Sequence, residues 1–210
     1  MNYIRIALGK GRLAHTAVEL FQKIGICLEG YEPKSRKLIF VDKEKKIRVV
    51  LVKASDVPIY VEHGAADIGI VGKDTLMETS ADVYEIMDLG FGKCKFAVAA
   101  PKECHFNHDR KLRVATKYPN VAKEYYRQKG EAIEIIKLNG SVELAPLMGL
   151  SDVIVDIVET GTTLKENGLE VIEDMYQVSA RLIVNKVSFK TRGKEIGEIV
   201  KNLQSVIEKR

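Results

Sequence analysis

Val153-Ile-Val-Asp-Ile-Val-Glu-Thr-Gly-Thr-Thr-Leu164 decides how this sequence folds. Five of its first six residues are apolar, the pattern of a short buried strand. The small residues of Glu159-Thr-Gly-Thr-Thr163 make a tight turn, and Leu164-Lys-Glu-Asn-Gly168 opens a helix. A strand that turns directly into a helix is the repeating unit of an α/β protein.

The unit recurs along the chain. Ile4 to Leu8 is a short apolar run, followed by Gly9-Lys-Gly-Arg12 and a helix with Ala14, Ala17, Val18, Phe21 and Ile24 on one face. Gly25 ends that helix. Lys37-Leu-Ile-Phe-Val41 and Ile47-Arg-Val-Val-Leu-Val52 form a predicted hairpin around Asp42-Lys-Glu-Lys-Lys46. Ser55 or Asp56 is the expected N-cap of a helix with Pro58 in its first turn, and Ile68-Gly-Ile-Val71 is a buried strand. Further strands are predicted at Phe96–Ala100, Leu112–Ala115 and Ile133–Leu138, with helices near Val121–Gln128 and Val142–Met148. Leu169-Glu-Val-Ile172 and Ala180-Arg-Leu-Ile-Val-Asn185 come next. Ile196, Ile199, Val200, Leu203, Val206 and Ile207 then share one face of an amphipathic helix. This alternation predicts α/β architecture with largely parallel sheets. If there are two lobes, Gly90-Phe-Gly-Lys93 is a short crossing between them.

The turn after Val158 has two readings. Thr160 or Thr162 caps the helix and does nothing more. Alternatively, successive N–H groups, the hydroxyls of Thr160, Thr162 and Thr163, and the open backbone at Gly161 form an anion cradle. Asp156 and Glu159 favour the second. Carboxylates repel a bare phosphate but accept hydrogen bonds from the vicinal hydroxyls of a ribose, so the ligand is a sugar phosphate.

Lys10 and Arg12, in Gly9-Lys-Gly-Arg-Leu13, concentrate positive charge at a helix start, where a pyrophosphate could sit; the alternative is a solvated basic turn. The turn is neither a Walker loop nor GxGxxG. Arg36, in Ser35-Arg-Lys-Leu38, is by itself a surface residue, and Asp56 and Asp74 are N-caps before they are catalysts. Lys117 follows a strand and is placed to reach a ligand.

The chain has 210 residues, 46% apolar and 30% charged, which suits one large or two small globular domains. No run approaches the roughly 20 apolar residues of a membrane span. The N-terminus is a predicted strand without the features of a signal peptide, so a cytoplasmic protein is expected. Cys27, Cys94 and Cys104 are odd in number and lack CxxC spacing, which fits a reducing compartment. His63, His105 and His108 bear no metal-site spacing to them, and His105 and His108 fall in a polar loop. The net charge of +4 is spread along the chain and gives no nucleic-acid footprint.

Together, Ile6–Leu13, Ser35–Phe40, Ala54–Asp74, Arg113–Asn120, Leu138–Leu164 and Ser179–Asn185 resemble the ATP phosphoribosyltransferases that open histidine biosynthesis. The similarity covers most of the chain in order, and it is to the short form, which lacks a C-terminal regulatory domain. It implies two α/β lobes resembling type II periplasmic binding proteins with a cleft between them. The first lobe would hold residues 1–90 plus 176–210, the second residues 91–175. It also implies transfer of phosphoribosyl from phosphoribosyl pyrophosphate to N1 of ATP. Asp156, Glu159, Thr160, Gly161, Thr162, Thr163 and Leu164 would bind phosphoribosyl pyrophosphate. Lys10, Arg12 and Arg36 would meet the pyrophosphate and ATP phosphates and act in catalysis. Gly11, Ala54, Ser55, Asp56, Val57, Pro58, Gly72, Lys73 and Asp74 would line the nucleotide side. Mg²⁺ would ride on the substrate pyrophosphate, with no metal ligands from the protein. The implied partner is a regulatory subunit related to histidyl-tRNA synthetase, joined in a hetero-octamer; alone, the chain would be a homodimer. Two rival readings share the fold: a bilobed small-molecule binding protein without turnover, and a nucleotide-binding regulatory subunit.

Overall fold

The computed structural model describes residues 3–103 and 110–209. Cys104, His105 and His108 lie outside the described residues. The chain divides into two compact units, Met1–Gly92 with Ser179–Arg210, and Lys93–Val178.

The first unit is a six-stranded sheet of β1 (Ile4–Gly9), β2 (Ile39–Asp42), β3 (Ile47–Val52), β4 (Ile68–Gly72), β5 (Tyr84–Asp88) and β11 (Ala180–Val184), in the order β2-β3-β1-β4-β11-β5. β1 runs parallel to both its neighbours, β3 and β4. The other three pairings are antiparallel. The predicted hairpin is β2–β3, and its turn is held by Asp42, whose carboxylate accepts from Lys45 N (2.8 Å) and Cys27 N (2.7 Å). Helix α1 (Arg12–Lys23) buries Ala14, Ala17, Val18 and Phe21 against this sheet, together with Ile196, Ile199 and Leu203 of α8 (Gly193–Ile207). Full burial of each such large side chain is worth about 1.5–3 kcal/mol. Helices α2 (Val57–Glu62) and α3 (Lys73–Thr79) contribute Val57, Val61 and Leu76 to a second cluster with Val71 and Ile183.

The second unit is a five-stranded sheet of β6 (Cys94–Pro101), β7 (Leu112–Thr116), β8 (Ile133–Lys137), β9 (Val153–Val158) and β10 (Leu169–Val178), in the order β10-β6-β9-β7-β8. β7 is parallel to β8 and β9, whereas β6 pairs antiparallel with β9 and β10. Helix α4 (Pro119–Lys129) buries Val121, Ala122 and Tyr126. The short helices α5 (Leu144–Leu147) and α6 (Thr162–Glu166) place Ala145 and Leu164 against Ala97, Ala99, Ile154 and Val158.

Three local expectations change. The sheets are mixed rather than largely parallel, because among the described residues hairpins and returning strands supply five antiparallel pairings against four parallel ones. The predicted helix over Val142–Met148 shrinks to Leu144–Leu147, since Pro146 lacks an N–H and Gly149 turns left-handed at φ 68°. β5 and α7 (Lys186–Thr191) were not foreseen. β5 is a half-exposed edge strand with polar residues, and α7 is six residues started by Asn185.

Candidate functional site

The parallel strands β1, β3 and β4 end at the same edge of their sheet, at Gly9, Val52 and Gly72. Carboxyl ends of parallel strands are where open α/β sheets bind ligands. Three turns leave from there: Lys10–Gly11 into α1, Lys53 into a single 3₁₀ turn (Ala54–Asp56) ahead of α2, and Gly72 into α3. They are tied together, since Lys10 N donates to Val52 O at 2.8 Å. Gly9 lies so close to the 3₁₀ turn that a Cβ there would sit 2.9 Å from Ala54 Cα.

Lys10, Gly11 and Arg12 are exposed, and the N-cap of α1 is Gly11, which has no side chain to cap it. With His15, Tyr31 and Ser35 they line a depression of about 310 Å³. Arg36 does not line it; it is exposed in the segment that enters β2. The sequence reading missed His15 and Tyr31. His15 stands one turn beyond Arg12 on the same helix face, a spacing that was available as a signal. Its Nε2 lies 3.5 Å from Glu19 Oε1. Tyr31 arrives from a loop and has no such signal.

Neither Ser55 nor Asp56 caps α2 with its side chain. Asp56 occupies the N-cap position, but its carboxylate accepts from Ser55 Oγ at 3.0 Å. Asp74 is likewise not the cap of α3: Gly72 holds that position, and Asp74 sits in the first turn with its carboxylate folded back over Gly72. Val57 and Pro58 are buried, whereas Ala54 and Ser55 are exposed. Lys73 is half-buried; its N donates to Ser179 O (2.9 Å) and its Nζ to Glu85 Oε2 (2.5 Å).

In the second unit β9 ends at Val158 and the chain turns through Glu159, Thr160 and Gly161 into α6. Gly161 sits at φ 76° in the N-cap position, a left-handed conformation that costs a residue with a Cβ about 1–2 kcal/mol. Gly161 has no side chain with which to cap α6, and the capping reading holds in a weak form: Thr160 Oγ1 accepts from Thr162 N at 3.4 Å and also meets Thr162 Oγ1 at 3.0 Å. Helix α6 is five residues long, so what it offers an anion is local N–H groups and hydroxyls rather than a long macrodipole. Glu159, Thr160, Thr162 and Thr163 are exposed, while buried Leu164 anchors the turn in the core. Thr160, Gly161, Thr162, Lys165 and Glu166 line an open depression of about 570 Å³. Lys165 is a cation there that the sequence reading did not select.

Asp156 lies within β9 rather than in the turn, half-buried, with Oδ1 accepting from Ile157 N at 2.8 Å. On the neighbouring strand β7, buried Thr116 donates to Val155 O (2.7 Å) and accepts from Tyr118 N (2.8 Å). That pair of bonds fixes the turn carrying exposed Lys117 at the same sheet edge as the Thr160–Thr163 turn.

A sequence profile for HisG: ATP phosphoribosyltransferase matches residues 53–205. The chain belongs to the ATP phosphoribosyltransferase family. A family member from Thermoanaerobacter sp. (strain X514) is 58% identical over 208 residues, covering 99% of this chain and 98% of its own. Another from Lachnoclostridium phytofermentans is 56% identical over 211 residues, with 99% and 98% covered. Both are called ATP phosphoribosyltransferase. A chain of the ATP phosphoribosyl transferase (HisG:HisZ) complex from Thermotoga maritima superposes with a TM-score of 0.86 at 37% identity, covering 99% of this chain and 100% of that one. The two-lobed fold that the ATP phosphoribosyltransferases share with periplasmic binding proteins is present too. The aliphatic sulphonate binding protein SsuA from Escherichia coli gives a TM-score of 0.61 at 14% identity, covering 99% of this chain and 73% of that one.

Proposed function

We propose that this chain transfers the phosphoribosyl group of phosphoribosyl pyrophosphate to N1 of ATP, giving phosphoribosyl-ATP and pyrophosphate, the first step of histidine biosynthesis. The observation that carries this reading is the hydroxyl-rich, exposed Thr160–Thr163 turn. It joins an anion cradle at Gly161 to an acidic residue on either side of Val158. The cradle takes the ribose 5-phosphate, and Asp156 and Glu159 accept from the ribose hydroxyls. Leu164 anchors the turn and meets the ligand through its backbone. Lys10, Arg12 and Arg36 take the pyrophosphate and the ATP phosphates. Gly11, Ala54–Pro58 and Gly72–Asp74 bind the nucleotide, with buried Val57 and Pro58 contributing backbone rather than side chain.

The chemistry needs little proton transfer. The N1 lone pair attacks C1 of the ribose, the C1–O bond to pyrophosphate breaks, and its electron pair leaves with the oxygen. Charge grows on that leaving oxygen, so fixed cations at Lys10, Arg12 and Arg36 stabilise the transition state more than the bound substrate. Holding two anionic substrates in register supplies much of the rest. Mg²⁺ would be carried by the substrate pyrophosphate, where it would help neutralise the leaving group's charge.

The Thermotoga maritima structure is a complex of HisG with HisZ. By analogy this chain takes a regulatory subunit related to histidyl-tRNA synthetase in a hetero-octamer, and forms a homodimer without it. Among the described residues no helix is long and apolar enough to cross a membrane; we place the enzyme in the cytoplasm. The test is to mix the chain with ATP, phosphoribosyl pyrophosphate and Mg²⁺, with and without that partner, and to look for phosphoribosyl-ATP. Product is expected; its absence in both mixtures would overturn the enzyme reading in favour of a bilobed binding protein.

A further inference from the structure

The segment Ser179-Ala-Arg-Leu-Ile-Val-Asn185 is one of the six stretches that carry the family resemblance, yet the roles above leave it without work. In the structure its first three residues surround the Gly72–Asp74 turn. Ser179 O accepts from Lys73 N (2.9 Å), and Ser179 Oγ donates to Asp88 Oδ1 (2.7 Å), which also accepts from Gly90 N (2.8 Å). Arg181 sits on β11 opposite Val71 of β4 on one side and Asp88 of β5 on the other. Its guanidinium spans two carboxylates, Nη2 at 3.0 Å from Asp88 Oδ2 and Nη1 at 3.5 Å from Glu85 Oε1. The other oxygen of Glu85 holds Lys73 Nζ at 2.5 Å. Arg181 is 21% exposed, while Lys73 and Glu85 are each about one-third exposed, so the chain of contacts runs outward from the sheet to the turn.

The arrangement is directional. Asp88 is fixed by two donors from its surroundings, Arg181 by Asp88, Glu85 by Arg181, and Lys73 by Glu85. A lysine side chain is long and rotatable, and ordering it on binding weakens affinity unless it is already ordered. An arginine fork, planar and preorganised, holds two carboxylates in a fixed geometry from one position in the strand.

We propose that Glu85, held by Arg181, is a positioning residue that aims Lys73 at the nucleotide. This rests on the proposed role of Lys73 in binding ATP. It gives Ser179-Ala-Arg181 a function: building the scaffold behind the Gly72–Asp74 turn.

The experiment measures ATP affinity by calorimetry beside steady-state KM values for ATP and phosphoribosyl pyrophosphate. The variants are Glu85→Ala, Glu85→Gln, Arg181→Lys, Lys73→Ala and the double variant Lys73→Ala/Glu85→Ala. Glu85→Ala is expected to weaken ATP binding and raise KM for ATP about five- to tenfold, with kcat and KM for phosphoribosyl pyrophosphate little changed. Glu85→Gln, which keeps an acceptor for Lys73, should fall between. Arg181→Lys should move the same way as Glu85→Ala. In the Lys73→Ala background the Glu85 effect should vanish, which a merely structural role would not produce. Unchanged or tighter ATP binding in Glu85→Ala would overturn the proposal, since Glu85 would then be idle or a competitor for Lys73. A Glu85 effect that persists in the double variant would overturn it too. Failure of the underlying reading is distinct: Lys73→Ala would then bind ATP as tightly as the wild type. Melting temperature checks folding, and a partly exposed ion pair of this kind should leave it nearly unchanged.

Discussion

Arg12 and Arg36 look alike in sequence, each a basic residue in a short polar turn, but the structure separates them. Arg12 shares a depression with Lys10, His15 and Tyr31, whereas Arg36 is exposed outside its lining. If both stabilise departing pyrophosphate, removing either lowers kcat more than substrate affinity. Arg12→Ala should cost about 10²-fold in kcat, the usual size for losing one preorganised charge or donor, and Arg36→Ala less. Steady-state kinetics in which only KM rises would remove that role. At this scale the type of each site residue was legible, and its surroundings were not. Asp56 and Asp74 fitted the N-cap pattern, yet their carboxylates turn to Ser55 and back over Gly72, since nothing in a sequence records which way a short side chain folds.

Among the elements, those with a clear period were legible: the buried strands, α1 with its one-sided apolar face, and α8. Short elements were not, because they are stabilised by tertiary hydrogen bonds rather than by pattern. α7 is the clearest case. Buried Asn185 accepts from Val187 N (3.0 Å) and Ser188 N (2.8 Å), and its amide donates to Val61 O (2.8 Å) and Glu62 O (3.1 Å). One side chain therefore starts α7 and stitches it to the end of α2. Asn185→Ala should lower stability by about 2 kcal/mol, combining the lost cap with the lost amide bonds to Glu62 O and to Val61 O, the latter still met by Gly64 N. Asn185→Ser, which keeps a capping oxygen but loses the amide donor, should cost less in urea unfolding. Equal losses would show that the cap contributes nothing.

Across the whole molecule, the first unit is assembled from both ends of the chain, and one buried carboxylate joins them. Asp67, 1% exposed, accepts from Arg5 N (2.8 Å), Arg5 Nη2 (3.1 Å), Ser188 Oγ (2.7 Å) and Arg192 Nη1 (3.4 Å). Burial pushes its carboxyl up, but the hydrogen bonds and charge of Arg5, with the bond from Ser188, outweigh that and leave it below the usual carboxylate range. A carboxyl depressed by folding stabilises the native state above its unfolded value of about 3.9, and that contribution is lost as the pH falls through and below it. Asp67→Asn should therefore cost roughly 3 kcal/mol at neutral pH and flatten the fall in stability below about pH 4. Denaturant midpoints measured from pH 3 to 7 would show it; parallel curves for the two proteins would refute the linkage.

The sequence by itself determined the α/β class, the strand–turn–helix units and the residue types of the Gly9–Leu13 and Glu159–Thr163 turns. Periodicity and glycine placement are local, and they act through backbone geometry that each segment carries with it. Only the tertiary structure decided that the sheets are mixed, that Gly9 must accommodate Ala54, and that Glu85 and Arg181 stand behind Lys73. The Val153–Leu164 segment shows the boundary between the two. Its strand and turn follow from its own residues, but the sharing of Thr160 Oγ1 between the hydroxyl and the N–H of Thr162 does not. Such choices belong to side-chain contacts formed only after the backbone is in place.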